Sequence, residues 1–201
     1  MWCSSKTRHI PQNAIVRHDS IIYLFNSALA KKFKKVDPKI ALLYVSSVAI
    51  IGVFGEVFVD SFYNLIFKTP LWQYQILPIH NSYTSYYSVV IWGMYGFYLY
   101  LLHDHLSGYN IQKSRTLALI VSIEAIVLEI LFNFSHLAIF KRYIFYYTPG
   151  DLWHLTSLLA IPFYFLAGLA IVKSIKRFKA DPSFFIVMNA LLVLTLVFLA
   201  R

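Results

Sequence analysis

The sequence predicts an all-α integral membrane protein: a bundle of five transmembrane helices, six if residues 61–80 span as well, with a cytoplasmic N-terminus. Three observations predict it. Hydrophobic residues fill 59% of 201 positions, mean hydropathy is +0.62, and only 13% of residues are charged, against about 25% in soluble domains. Five apolar stretches approach the roughly 20 residues needed to cross a bilayer. Lys and Arg divide unequally between alternate connections, as the positive-inside rule requires.

Residues 1–38 form a basic segment, and residues 39–201 form a single transmembrane domain. Cys3 is the only cysteine, so an intrachain disulfide and a cysteine metal site are excluded. The apolar run Ile21 to Phe25 is too short for a signal-peptide core, so the first span acts as an uncleaved insertion signal. Residues 20–33 are expected to form a short surface helix. The run Lys31, Lys32, Lys34, Lys35 and Lys39 abuts the first span and fixes its orientation.

The spans are expected at 40–60, 84–103, 116–140, 152–172 and 183–200. Between the first two, Pro70 and Pro78 break an aromatic stretch. It reads as an interfacial or re-entrant segment anchored by Trp72 and Tyr74. Fourteen Lys/Arg lie on the N-terminal side of the membrane and four on the other. This places the N-terminus in the cytoplasm and the C-terminus outside. The net charge of +9 therefore reflects membrane topology and not nucleic-acid binding. No internal repeat, inverted or parallel, is expected, and there is no low-complexity tract.

Ionisable residues at membrane depth are costly and mark functional sites or buried networks. Glu56 and Asp60 are four residues apart and share a helix face, with Gly52 preceding them. Two carboxylates so close in low dielectric rarely both ionise without a cation between them. Glu129, Asn133 and His136 form a polar stripe on the third span. Glu124 points about 140° away from Glu129 at 100° per residue and reads as a packing residue. Asp151 is expected to cap the fourth span, with Trp153 at the interface and His154 on the first turn. His80, Asn81, Tyr83, Thr84 and Ser85 open the second span. His103, Asp104 and His105 read as solvated loop residues.

By this topology the outer half of the membrane collects polar groups from four spans. Their types suit general acid–base catalysis, with Glu56, Asp60, Glu129, His136 and His154 as the catalytic set. Trp72, His80, Trp92, Asn133, Asp151 and Trp153 are expected to contact substrate, and aromatic faces can stabilise a developing cation. The expected substrate is a lipid, an isoprenoid or another hydrophobic small molecule in an outer-half cavity. No cofactor is predicted. A metal held by His80, His136, His154 and carboxylates is the variant form, although HxxxH, HxxH and HExxH are absent. The alternatives are a proton- or cation-coupled carrier or channel, for which the missing repeat is unfavourable, and a non-catalytic lipid-binding assembly subunit.

Overall fold

Helix α1 (Pro38–Phe67) opens at Asp37, whose Oδ1 accepts from the Lys39 and Ile40 N–H groups at 2.9 and 3.2 Å. Pro38 occupies the first turn, where a missing N–H costs nothing. The computed structural model describes residues 36–102 and 114–199. Cys3, the 20–33 segment, Lys31 to Lys35, and His103, Asp104 and His105 lie outside the described residues. After α1 come β1 (Trp72–Tyr74), β2 (Pro78–Ile79), β3 (Thr84–Ser85) and α2 (Tyr86–Tyr100), then α3 (Ser114–Phe140) and β4 (Phe145–Tyr147). A 3₁₀ turn (Leu158–Ala160) leads into α4 (Ile161–Phe178), and α5 (Pro182–Phe198) completes the helices among the described residues.

Three helical segments, Pro38–Phe67, Arg115–Phe140 and Leu158–Phe178, are long and apolar enough to cross a membrane. Among the described residues α2 and α5 are apolar helices of 15 and 17 residues, and α2 continues in helical conformation to Leu102, where the described segment stops. Residues 61–80 do not form a sixth span. α1 continues to Phe67, Lys68 turns left-handed at φ 59°, and the chain then enters β1. Trp72 and Tyr74 are buried at 5% and 6% exposure, so they face the protein interior and do not anchor an interfacial segment. Residues 152–157 precede the fourth helix as a turn with a single bridge between Leu152 and Thr156, so His154 is not on a helical turn.

α1 is the central helix, packing directly on α2, α4 and α5, while α3 packs on α4. Asn189 of α5 reaches Ser46 of α1 at 3.5 Å. Across one end of the bundle lies a two-stranded antiparallel ribbon of β1 and β4, pairing Trp72 with Tyr147, Gln73 with Tyr146, and Tyr74 with Phe145. Alternation along the strands turns Trp72, Tyr74, Phe145 and Tyr147 inward, where they join one apolar core.

The fold contains an internal duplication, contrary to the expectation from sequence. The unit α1–β1–α2 recurs as α3–β4–α4, displaced by 73 residues up to the ribbon (56 to 129, 68 to 141, 74 to 147) and by 72 beyond it (84 to 156, 96 to 168). Lys68 and Lys141 both end their helices left-handed, at φ 59° and 58°. Their N–H groups bond Asn64 O and Leu137 O. Gln75 N–H bonds Ile144 O while Thr148 N–H bonds Leu71 O, and Tyr74 N–H bonds Ser82 O while Tyr147 N–H bonds His154 O. Asn81 and Ser82 are left-handed, as are Trp153 and His154. Gly96 lies against the α1 backbone at Tyr44 and Val45, where an added Cβ would come within 2.7 Å of Tyr44 O. Gly168 lies against α3 at Ala118, with the equivalent Cα distance 3.0 Å. The pseudo-two-fold axis passes between Gln73 and Tyr146, which are both equivalent and paired. Both units run in the same direction, so the repeat is parallel, and α5 has no counterpart.

Candidate active site

Glu56 is buried on α1 at 8% exposure, and four neutral donors surround its carboxylate. Oε1 accepts from Tyr74 Oη at 2.6 Å and Trp92 Nε1 at 2.8 Å. Oε2 accepts from Thr84 Oγ1 and Ser88 Oγ, both at 2.5 Å. A carboxylate has about four lone-pair sites, so this cradle is full. Its donors come from β1, β3 and α2, and the indole reaches because Gly52 leaves room. A Cβ on Gly52 would run into the Trp92 ring.

Glu129 repeats the arrangement on α3. Tyr147 Oη donates at 2.9 Å to Oε1 and 3.0 Å to Oε2, Thr156 Oγ1 donates to Oε2 at 2.5 Å, and Tyr164 Oη donates to Oε1. Tyr147 and Tyr164 hydroxyls are also 3.1 Å apart. The repeat places Tyr147 with Tyr74, Thr156 with Thr84, and Tyr164 with Trp92. Tyr74 and Tyr147 each donate to a glutamate eighteen residues earlier. One donor differs. Ser88 corresponds to Ala160, so the second cradle has no fourth side chain.

The two cradles are neighbours. Trp92 and Tyr164 ring centroids are 6.1 Å apart, and Trp72 and Tyr147 centroids 5.5 Å. Burial, then Glu56, pushes the Tyr74 phenol well above its ordinary pKa. Burial and Glu129 do the same to Tyr147. Both phenols stay protonated and act as donors.

One helical turn beyond each glutamate, a short polar side chain pins the ribbon. Asp60 Oδ1 accepts from Leu71 N–H at 2.6 Å and Trp72 N–H at 3.2 Å. Asn133 Oδ1 accepts from the equivalent Ile144 N–H at 2.9 Å, and its Nδ2 donates to Phe145 O at 2.6 Å and Leu155 O at 3.0 Å. Asp60 Oδ2 is buried without a hydrogen-bond partner, in the position equivalent to Asn133 Nδ2. These two residues fasten the ribbon and the chain beside it.

The expected histidines lie elsewhere, each tied to a backbone carbonyl. His80 Nε2 is 2.9 Å from Leu196 O, His136 Nδ1 is 2.7 Å from Arg142 O, and His154 Nδ1 is 2.7 Å from Tyr147 O. His154 also stacks on Tyr146, with centroids 4.3 Å apart. Among the described residues no three His, Cys, Asp or Glu side chains converge closely enough for a metal ion. Asp151 accepts from Leu158 N–H at 2.8 Å and Ser157 Oγ at 3.2 Å, capping the 3₁₀ turn from seven residues upstream. Trp153 is 78% exposed. Trp72 donates Nε1 to Tyr83 O at 2.9 Å and packs on Tyr147.

Of the predicted set, the structure therefore brings Glu56, Glu129 and Trp92 together, with Trp72 alongside. Sequence reasoning missed Tyr74, Ser88, Tyr147, Thr156 and Tyr164 as partners. The signal that finds all but Ser88 is the 73- and 72-residue offset. Comparison with protein-family models, curated proteins and solved structures finds no match to this chain.

Proposed function

We propose that this is a membrane-embedded acid–base enzyme acting on a lipid or isoprenoid, with Glu56 and Glu129 as its two working carboxylates. In this reading the helices span the bilayer, the N-terminus is cytoplasmic and the ribbon closes the outer end. The observation that carries the proposal is the pair of neighbouring glutamates, Glu56 buried and Glu129 half-buried, whose donors, among the described residues, are all uncharged. Two carboxylates this near in low dielectric rarely both ionise without a cationic partner. A developing carbocation, flanked by the Trp92, Tyr164 and Trp72 rings, supplies that positive charge.

The asymmetry of the cradles divides the work. Glu56 is held by four donors, one of them an indole that cannot exchange its proton in this role. It stabilises charge. Glu129 is bonded by two linked phenols and has no equivalent of Ser88. It transfers its proton to the substrate carbon, and the Tyr147 and Tyr164 hydroxyls that donate to it hold the carboxylate left behind until a solvent proton replaces the one transferred.

Proton transfer to carbon leaves solvent hydrogen in the product. Protein in liposomes made from its native membrane lipids, incubated in D₂O, should place deuterium in a lipid detectable by mass spectrometry. Glu129→Gln should abolish this labelling while keeping the fold. Absence of protein-dependent labelling contradicts the proposal.

The duplication lends support to a second reading, a proton-coupled carrier, because parallel repeats about an axis along the helices occur in carriers. A pH-driven flux in liposomes that Glu129→Gln removes, without deuterium in lipid, would favour it.

A further inference from the structure

The pseudo-two-fold relates two seams of the bundle that have diverged. Along one, α1 and α4 pack directly, and the repeat positions carry Ile51, Ala167 and Ala170. Along the other, the equivalent positions carry Glu124, Tyr95 and Tyr98. There α2 and α3 make no comparable backbone approach among the described residues. The helices meet through side chains: Tyr95 Oη donates to Glu124 Oε2 at 3.1 Å and Tyr98 Oη to Oε1 at 3.4 Å. Of the two equivalent seams, only this one carries a carboxylate and two phenols.

These bonds are longer than any that Glu56 or Glu129 accepts in its cradle. Glu124 is partly exposed, and two of its about four acceptor sites receive no bond from the described residues. It is therefore not a filled network of the Glu56 kind. An apolar surface adjoins it: Val127 and Leu131 follow Glu124 at i+3 and i+7 on α3, Met94 precedes Tyr98 at i−4 on α2, and they are 48%, 56% and 64% exposed. Beside this surface Tyr98 stacks on Tyr95 at 5.9 Å, and Tyr95 meets Trp92 edge-on at 6.2 Å. A line of rings thus connects Glu124 with the Glu56 cradle.

We propose that the α2–α3 seam binds a lipid alcohol, whose hydroxyl donates to Glu124 and whose chain lies over Met94, Val127 and Leu131. A carboxylate with spare acceptor capacity selects a donor head and repels a phosphate. The surrounding apolar face selects a ligand dissolved in the bilayer. This assignment depends on membrane insertion but not on catalysis at Glu129, and its test reads binding alone.

The full chain in phosphatidylcholine liposomes is photolabelled with diazirine-bearing hexadecanol or with its methyl ether, and the labelled peptides are mapped by mass spectrometry. The alcohol should label the segments around Met94 and Val127 about tenfold more than the ether, the equivalent of one hydrogen bond to a charged acceptor. Glu124→Leu should erase that preference, and Glu124→Gln, which keeps an acceptor, should reduce it. Should the Leu variant not fold, the wild-type contrast and the Gln variant still decide. Equal labelling by alcohol and ether in wild type, or a preference undiminished in the variants, overturns the proposal.

Discussion

Trp92 and Tyr164 lie with ring centroids 6.1 Å apart, and each gives its polar hydrogen to a different glutamate, Trp92 to Glu56 and Tyr164 to Glu129. They are equivalent residues of a duplicated unit meeting near its pseudo-two-fold axis. Two carboxylates more than seventy positions apart in sequence thereby become one candidate site.

The indole needs Gly52, whereas the equivalent position beside the smaller Tyr164 ring is Ala125, in the same core. Gly52→Ala should displace Trp92 from Glu56 and cost about 1–3 kcal/mol by overpacking. Ala125→Gly should cost about 1 kcal/mol or less, the helix-propensity loss. Unfolding in mixed detergent measures both, and equal losses would contradict the assigned packing.

Asp60 and Asn133 occupy equivalent places, but only Asn133 has an amide to donate to two carbonyls. Asp60→Asn should leave stability unchanged or raise it by about 1 kcal/mol, because Oδ2 is buried and unpartnered. Asn133→Asp should cost about 3 kcal/mol or more, since it loses both donors and sets a carboxyl against carbonyl oxygens. A marked loss in Asp60→Asn would show that Asp60 acts through its charge.

Tyr74 and Tyr147 carry phenols whose folded pKa values are raised by burial and by Glu56 and Glu129. A raised value favours the protonated form in the fold. That contribution is complete below about pH 10, the unfolded phenol value, and is lost as pH rises through the folded values. Stability should therefore fall above about pH 10, and fall less steeply in the Tyr74→Phe, Tyr147→Phe double variant. Parallel alkaline declines in both proteins would remove the phenols as its cause.

Much of the helical framework is legible in sequence because apolar length dictates it. The bounds of α1 and α3 follow from Pro38, Lys68 and Lys141 as much as from hydropathy. Glu56 and Glu129 stand out because charge at that depth is expensive. Their partners do not stand out, since Tyr74, Thr84, Thr156 and Tyr164 are ordinary residues 18 to 35 positions away. The repeat is faint in sequence because its identities are sparse: Val48 with Val121, Ile50 with Ile123, the glutamates, Ile66–Phe67–Lys68 with Ile139–Phe140–Lys141, Tyr74 with Tyr147, Thr84–Ser85 with Thr156–Ser157, and Gly96 with Gly168. A one-residue shortening of the second connection also splits its register. Polarity near helix ends looks like site chemistry, whereas one ring nitrogen of each histidine is bonded to a backbone carbonyl, of Leu196, Arg142 or Tyr147. The angle that separates Glu124 from Glu129 on the helix aims it at the second seam, where Tyr95 and Tyr98 donate to it.

The most direct test of the central claim is deuterium incorporation into lipid from D₂O by wild type, Glu56→Gln, Glu129→Gln and the double variant, each checked for retained fold. If the two carboxylates act as one unit, each single substitution abolishes labelling and the double variant is no worse than either. Labelling that persists in the double variant, or never exceeds protein-free liposomes, contradicts the account.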